Sequence, residues 1–374
     1  MSPKSRGRPK GRGRPNRPQR PATGLRLADR ILLDARRVAG ADDVLLVELW
    51  ASGWLGEVWA AAPPGESEPE RLICTEVAGR ATAKPTALGL AAVAALGRVA
   101  PPGPREMLAE AGAILAIDQP AASWYGLPEW TRAAAWRAVD VWESERVLFV
   151  EYGEPRPHTL MAVVLENGGR TVGRLGVLEP GAAERWGELR EEDEVPMPIT
   201  AVAPDAALAD LAAAMRETDA LWPRRTQGEY PALRALAWTR CRPHLPAWTD
   251  WEPTPSEERE ELIASFARYA AGRGLPDDEV TRSLAGLFLD YGDGAITPHP
   301  LAWSPGRVAL FLADHLPRKV ALDPARRERL PAALRAWVRF ALERRGVEPR
   351  WIDPVEEAVS AYLPALEDAE GDSR

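Results

Sequence analysis

The sequence predicts an α+β fold: a mixed N-terminal region with antiparallel hairpins, then an all-α C-terminal region. Three observations lead there. Asn167-Gly168-Gly169 separates two apolar runs, residues 159–165 and 170–178, and Asn-Gly between such runs is the strongest short-range hairpin signal. Helix-start signals recur from about residue 204 onward. With 374 residues, 45% of them hydrophobic, the chain can bury a sizeable core.

Taken in order, residues 25–37 read as a short helix. Residues 44–50 are apolar and strand-like, Ser52-Gly53 marks a turn, and residues 55–60 resume the strand. A Pro/Gly/Glu-rich loop over 61–70 precedes a further strand at 71–77. Residues 86–99 read as a helix stopped by Pro101-Pro102. A helix is expected over 129–141, with Trp130 and Trp136 inside, and then strands at 146–152 and across the hairpin. In the C-terminal region Thr254-Pro255-Ser256-Glu257 has the form of a capping box, with Pro at the first helical position. Asp353-Pro354-Val355-Glu356 repeats that logic, and Ser304-Pro305 and Asp323-Pro324 are further starts. Pro331 is expected to divide the last arginine-rich stretch, and Gly346 to end it. Expected boundaries are a tail over 1–24, an α+β domain over 25–200 and a helical domain over 201–374.

The tail is the most informative segment. Arg6-Gly7-Arg8-Pro9 recurs six residues on as Arg12-Gly13-Arg14-Pro15. Lys4, Lys10, Arg17 and Arg20 complete eight positive charges without an acid. Such a Pro/Gly/Arg-rich segment has almost nothing to bury and is expected to be disordered. Arg-Gly-Arg is narrow, because glycine lets the backbone lie deep in a groove. Two arginines can then follow the floor of an A-tract minor groove, whose narrow walls deepen its negative potential. Proline holds the flanking chain extended, so Lys4, Lys10, Arg17 and Arg20 can meet phosphates. Six extended residues reach roughly 20 Å, about six base pairs, so both copies can use one groove and gain avidity.

These residues resemble the AT-hook family, whose core is Gly-Arg-Pro within basic flanks. The resemblance covers residues 3–20 and implies binding to AT-rich double-stranded DNA through Gly7-Arg8-Pro9 and Gly13-Arg14-Pro15. A second resemblance involves the stretches from Pro300 to Val320 and Leu334 to Phe340, and the hairpin from His158 to Val177. They are similar to segments of uncharacterised proteins of high-GC Gram-positive bacteria, and that likeness implies no activity.

Charge is divided sharply. The chain is −8 overall, so the tail's +8 leaves −16 for the rest. An acidic body is repelled by DNA at long range, which leaves the DNA work to the tail. The acidic run from Glu188 to Glu194 is a candidate place for the tail to fold back on. A possible second phosphate contact is the basic helix face of Arg335 and Arg339, one turn apart, with Trp337-Val338 expected to face the core. Solvated arginines are the alternative there.

Little points to catalysis. Asp290-Tyr291-Gly292-Asp293, with His299, Asp314 and His315, is the densest polar cluster. Its spacing fits no calcium loop and equally fits an ordinary turn. No phosphate-binding loop, nucleophile elbow or dinucleotide fingerprint occurs, and no metal or cofactor is expected. Cys74 and Cys241 read as free buried thiols. Most of the fifteen tryptophans read as core, with Trp248 and Trp251 expected at the surface. No apolar run reaches the roughly 18 residues of a membrane span. The expectation is therefore a cytoplasmic, nucleoid-associated DNA-binding protein whose body is an interaction or regulatory module. Two alternatives stay open: an enzyme or small-ligand domain with a basic targeting tail, and an RNA-associated protein.

Overall fold

The computed structural model describes residues 26–371, apart from 67, 129, 189–194, 225–227, 249–251 and 294–298. The tail over 1–24, and with it every tail residue named above, lies outside the described residues. So do residues 189–194 of the acidic run, and Trp251.

The architecture is α+β. It opens on helices α1 (Leu27–Asp34), α2 (Arg36–Ala39), α3 (Val44–Ala61), α4 (Pro69–Ala83), α5 (Ala87–Val99) and α6 (Pro102–Leu115). The stretches 44–50, 55–60 and 71–77 are therefore helical, which corrects the strands expected there. In α3 the buried positions Val44, Val47, Glu48, Ala51, Ser52, Leu55, Gly56 and Trp59 follow the helical spacing. The outer face is also apolar, so periodicity is masked, and a short apolar run cannot by itself separate strand from buried helix. Among the described residues α3 alone is long and apolar enough to cross a membrane, and half of it is buried inside the fold. The Ser52-Gly53 turn does not form. Ser52 lies mid-helix, where its hydroxyl donates to Ala232 O at 2.7 Å and accepts from Leu236 N at 3.1 Å.

Five antiparallel strands follow, β1 (Arg132–Val139), β2 (Glu145–Tyr152), β3 (His158–Leu165), β4 (Thr171–Leu178) and β5 (Ile199–Ala201), in the order β4-β3-β2-β1-β5. The helix expected over 129–141 is thus strand β1. Its alanines favour helix locally, but pairing with β2 and β5 on both sides overrides that weak preference. Alternation sorts the sheet. Leu148, Val150, Leu160 and Val172 join the large core shared with the N-terminal helices, while Val147, Phe149 and Met161 pack beneath α7 (Ala182–Glu188). The hairpin forms as expected, but its loop is wider than a two-residue turn, closing at Leu165 opposite Thr171. Of Asn167, Gly168 and Gly169, only Gly169 has a positive φ. Asn167 is used elsewhere, accepting from Ser304 Oγ at 2.9 Å.

The remaining elements are helical: α8 (Pro204–Ala220), α9 (Glu229–Cys241), a 3-10 turn (Arg242–His244), α10 (Ser256–Ala271), α11 (Glu279–Asp293), α12 (Pro305–Leu310), a π turn (Phe311–His315), α13 (Leu316–Lys319), α14 (Pro324–Arg344) and α15 (Pro349–Gly371). Helices α8 and α9 pack on the sheet and belong to the first core. A second core gathers Phe266, Phe288, Trp303, Phe311 and Trp337 from the later helices. The two are joined by Arg307, fully buried, which donates to Glu166 O from Nε at 3.0 Å and from Nη2 at 2.7 Å.

Ser304 and Asp323 cap their helices as expected, accepting from Arg307 N and Arg326 N. Gly346 ends α14 with a positive φ. Three expectations fail. Thr254 caps nothing, because its hydroxyl donates to Asp293 at 2.5 Å and α10 starts at Ser256. Pro331 lies inside an unbroken α14, held by burial of Leu330, Ala333 and Leu334. Helix α15 starts at Pro349 and runs through Pro354, its buried Ile352, Val355 and Val359 keeping one face on the second core. Cys74 and Cys241 are free and buried, as read.

Candidate anion-binding cleft

Six separate elements converge on a cleft of about 380 Å³. Helix α3 supplies Glu48, α5 Arg98, α6 Arg105, β1 Arg132, β2 Tyr152 and α9 Arg240. The strand register sets Arg132 directly opposite Tyr152, and a register shift beyond Arg132 re-aims the end of β1.

Glu48 organises the floor. It is 2% exposed and accepts from Arg98 Nε at 2.8 Å, from Trp130 Nε1 at 2.8 and 2.9 Å, and from Arg240 Nη2 at 2.5 Å. A buried carboxylate needs such partners to offset its lost hydration. Arg240 is clamped between two rings, its Cζ 4.9 Å from the Trp130 centroid and 5.0 Å from that of Tyr152. Burial lowers the Arg240 pKa, an effect that Glu48 opposes. Burial raises the Tyr152 pKa, which keeps the phenol protonated as a donor. At the rim Arg132 pairs with Asp205 and lies 2.9 Å from His244 Nε2.

Donors exceed acceptors here. Arg240 Nε, Arg105 Nε and Tyr152 OH are buried and have no hydrogen-bond partner among the described residues. Among the described residues, Arg105 reaches only Thr239 Oγ1, at 3.5 Å, and no carboxylate. Arg105 also lines two adjoining clefts of about 210 and 220 Å³, so it stands where three openings meet. The arrangement suits an acceptor-rich, negatively charged ligand. Glu48 is fully engaged and offers no free carboxylate for acid–base work.

Beneath the cleft His158 stacks on Tyr152, centroids 5.1 Å apart, and meets Trp130 edge-on at 4.6 Å. Its Nδ1 lies 2.8 Å from Arg156 O. Burial lowers its pKa, and burial likewise lowers those of His299 and His315. Folding therefore favours the neutral rings. Unfolded histidines take up protons near pH 6.5, so stability is full above that value and falls as pH drops below it. Urea denaturation at stepped pH between about 7.5 and 5 is expected to show that fall. A His158→Asn variant is expected to show a shallower one.

Of the residues predicted from sequence, those of the tail lie outside the described residues. Arg335 and Arg339 do lie one turn apart on α14, with Trp337 and Val338 in the core. Arg339 is neutralised by α15, donating to Glu356 Oε1 at 2.7 Å and Asp353 at 2.8 Å. Arg335 is exposed and donates to Ser360 at 2.8 Å. The pair does not present two uncommitted charges. In the polar cluster, Arg259 ties Asp290 and Asp293 together, and His315 stacks on Phe311. No group of three or more His, Cys, Asp or Glu among the described residues is placed to hold a metal ion. Trp248 is exposed, with Arg216 over its ring at 4.7 Å.

None of the cleft residues is singled out by the sequence. The usable signal was Glu48, one acid in the apolar run from Val44 to Trp50. Comparison with protein-family models, curated proteins and solved structures gives no match to the chain.

Proposed function

We propose that this is a DNA-binding protein that docks in AT-rich minor grooves through its basic N-terminal tail. The body would act as an interaction or regulatory module, and the protein would reside on the nucleoid in the cytoplasm. The observation that carries this reading is the repeated Arg-Gly-Arg-Pro, free of acids, on a body of charge −16. Arg6, Arg8, Arg12 and Arg14 enter the groove, and Lys4, Lys10, Arg17 and Arg20 neutralise phosphates. The body supports this division of labour. Many of its arginines are committed to carboxylates, as in Arg80–Asp29, Arg146–Glu166 and Arg234–Asp219, which leaves less free charge for DNA.

Binding of an AT-rich duplex, a GC-rich duplex and an RNA hairpin at about 150 mM salt tests it. The intact chain is expected to prefer the AT duplex. A double Arg8→Ala, Arg14→Ala variant is expected to lose that preference. The log K versus log salt slope should be as steep as about −7 if the tail's eight positive charges together release up to eight counterions. Equal affinity for all three ligands would refute groove recognition.

A further inference from the structure

We propose that the cleft between α3, α6, α9 and the Arg132–Tyr152 end of the β1–β2 pair is a binding site for a small phosphate monoester. This does not rest on the DNA-binding reading, since every residue involved lies in the body.

The argument begins with charge. Arg98, Arg105 and Arg240 line the cleft with Glu48 as the sole opposing carboxylate among the described residues, while Arg132 is matched by Asp205 at the rim. The surplus is two positive charges, partly withdrawn from water. Surplus guanidinium charge partly withdrawn from water is costly unless an anion joins it. A phosphate monoester carries about −1.5 to −2 at neutral pH, which cancels that surplus. A monocarboxylate would cancel half of it.

Hydrogen bonding agrees. The Tyr152 hydroxyl is the floor donor, on a residue 3% exposed, and has no partner among the described residues. Arg240, with its side chain 7% exposed, keeps its Nε unused after giving Nη2 to Glu48. Arg105 brings a guanidinium that pairs with no carboxylate among the described residues. Phosphate offers three acceptor oxygens, enough for these donors, and arginine's planar fork matches it. Glu48 holds Arg240 and Arg98 in place, so the charge is fixed before the ligand arrives. The volume of about 380 Å³ lies in the range of small-molecule sites.

Isothermal titration of the full chain with ribose 5-phosphate, at constant ionic strength, tests the assignment. Saturable binding is expected. Arg105→Met should weaken it by about tenfold or more, the loss of one hydrogen bond to a charged group. Tyr152→Phe should weaken it as well. Neither residue's lost polar group has a structural partner of note, so neither variant should lower the melting temperature. Arg335→Met and the Arg8→Ala, Arg14→Ala tail variant should bind like the parent. The proposal falls if no saturable binding occurs up to about 10 mM, or if Arg105→Met and Tyr152→Phe together leave it intact. Tighter binding of succinate than of ribose 5-phosphate would also overturn it. So would loss of duplex affinity in Arg105→Met without ribose 5-phosphate binding, because the cleft would then be a DNA backbone contact.

Discussion

Glu48→Gln is expected to destabilise the fold by about 3–5 kcal/mol, the usual consequence of removing one partner from a buried ion pair. Glu48 serves Arg98, Arg240 and Trp130 at once, and it connects α3 to α5, α9 and the approach to β1. Glutamine keeps the shape but loses the charge. It also turns one acceptor into an NH₂ donor that faces another donor. Two guanidinium groups with side chains 16% and 7% exposed would lose their counter-charge. The measurement is urea denaturation, read as a lower midpoint at unchanged slope. A useful contrast is Glu68→Gln. Glu68 pairs with Arg71 at 3.1 Å, but the two side chains are 62% and 67% exposed, and such pairs contribute little. If both substitutions have the same small effect, Glu48 is not the organiser of the cleft.

The second large effect is expected at Gly56. Helices α3 and α9 cross so closely that a Cβ at Gly56 would collide with the backbone of Pro231, lying 2.5 Å from its carbonyl carbon and closer still to its oxygen. Backbone cannot swing aside as a side chain can. Gly56→Ala must push the helices apart, at a cost of about 3 kcal/mol, and strain the Ser52–Ala232 hydrogen bond one turn earlier. Gly53, on the same helix, has nothing within 4 Å of its Cβ position. Gly53→Ala should therefore stabilise by roughly 0.5–1 kcal/mol, as expected for relieving a helix-interior glycine. Opposite signs for two Gly→Ala changes three residues apart would establish that close approach, and not helix propensity, holds Gly56. A loss of stability in both would remove that explanation.

These two sites show where sequence reading ran out. Ser52 and Gly53 are turn-formers by preference, and Val44 to Trp50 is apolar enough for a strand. The helix wins because Ser52 and Gly56, one turn apart, make the flat face on which α9 lies. That face is defined by a partner some 180 residues away in sequence. The same holds for β1, where alanines that favour helix are captured between β2 and β5. Pro331 and Pro354 were read as boundaries from their missing N–H groups, yet both lie inside helices anchored by core contacts. Several local signals form as expected, although the Thr254 cap does not. Ser304 and Asp323 cap their helices through their own side chains, Gly346 takes the positive φ that ends α14, and the β3–β4 pair forms around Asn167-Gly168-Gly169.

The sequence by itself determined the α+β class, the hairpin, several helix starts, the two free buried thiols and the division of charge between tail and body. All of these depend on neighbours in the chain or on composition. The tertiary structure alone decided which apolar runs became helix and which arginines kept a carboxylate. It also decided that Glu48, Arg105, Tyr152 and Arg240 share one cleft. They come from four elements spread across nearly two hundred residues. Burial removes water's screening only once those elements pack, so neither the site nor its surplus charge exists until the fold is complete.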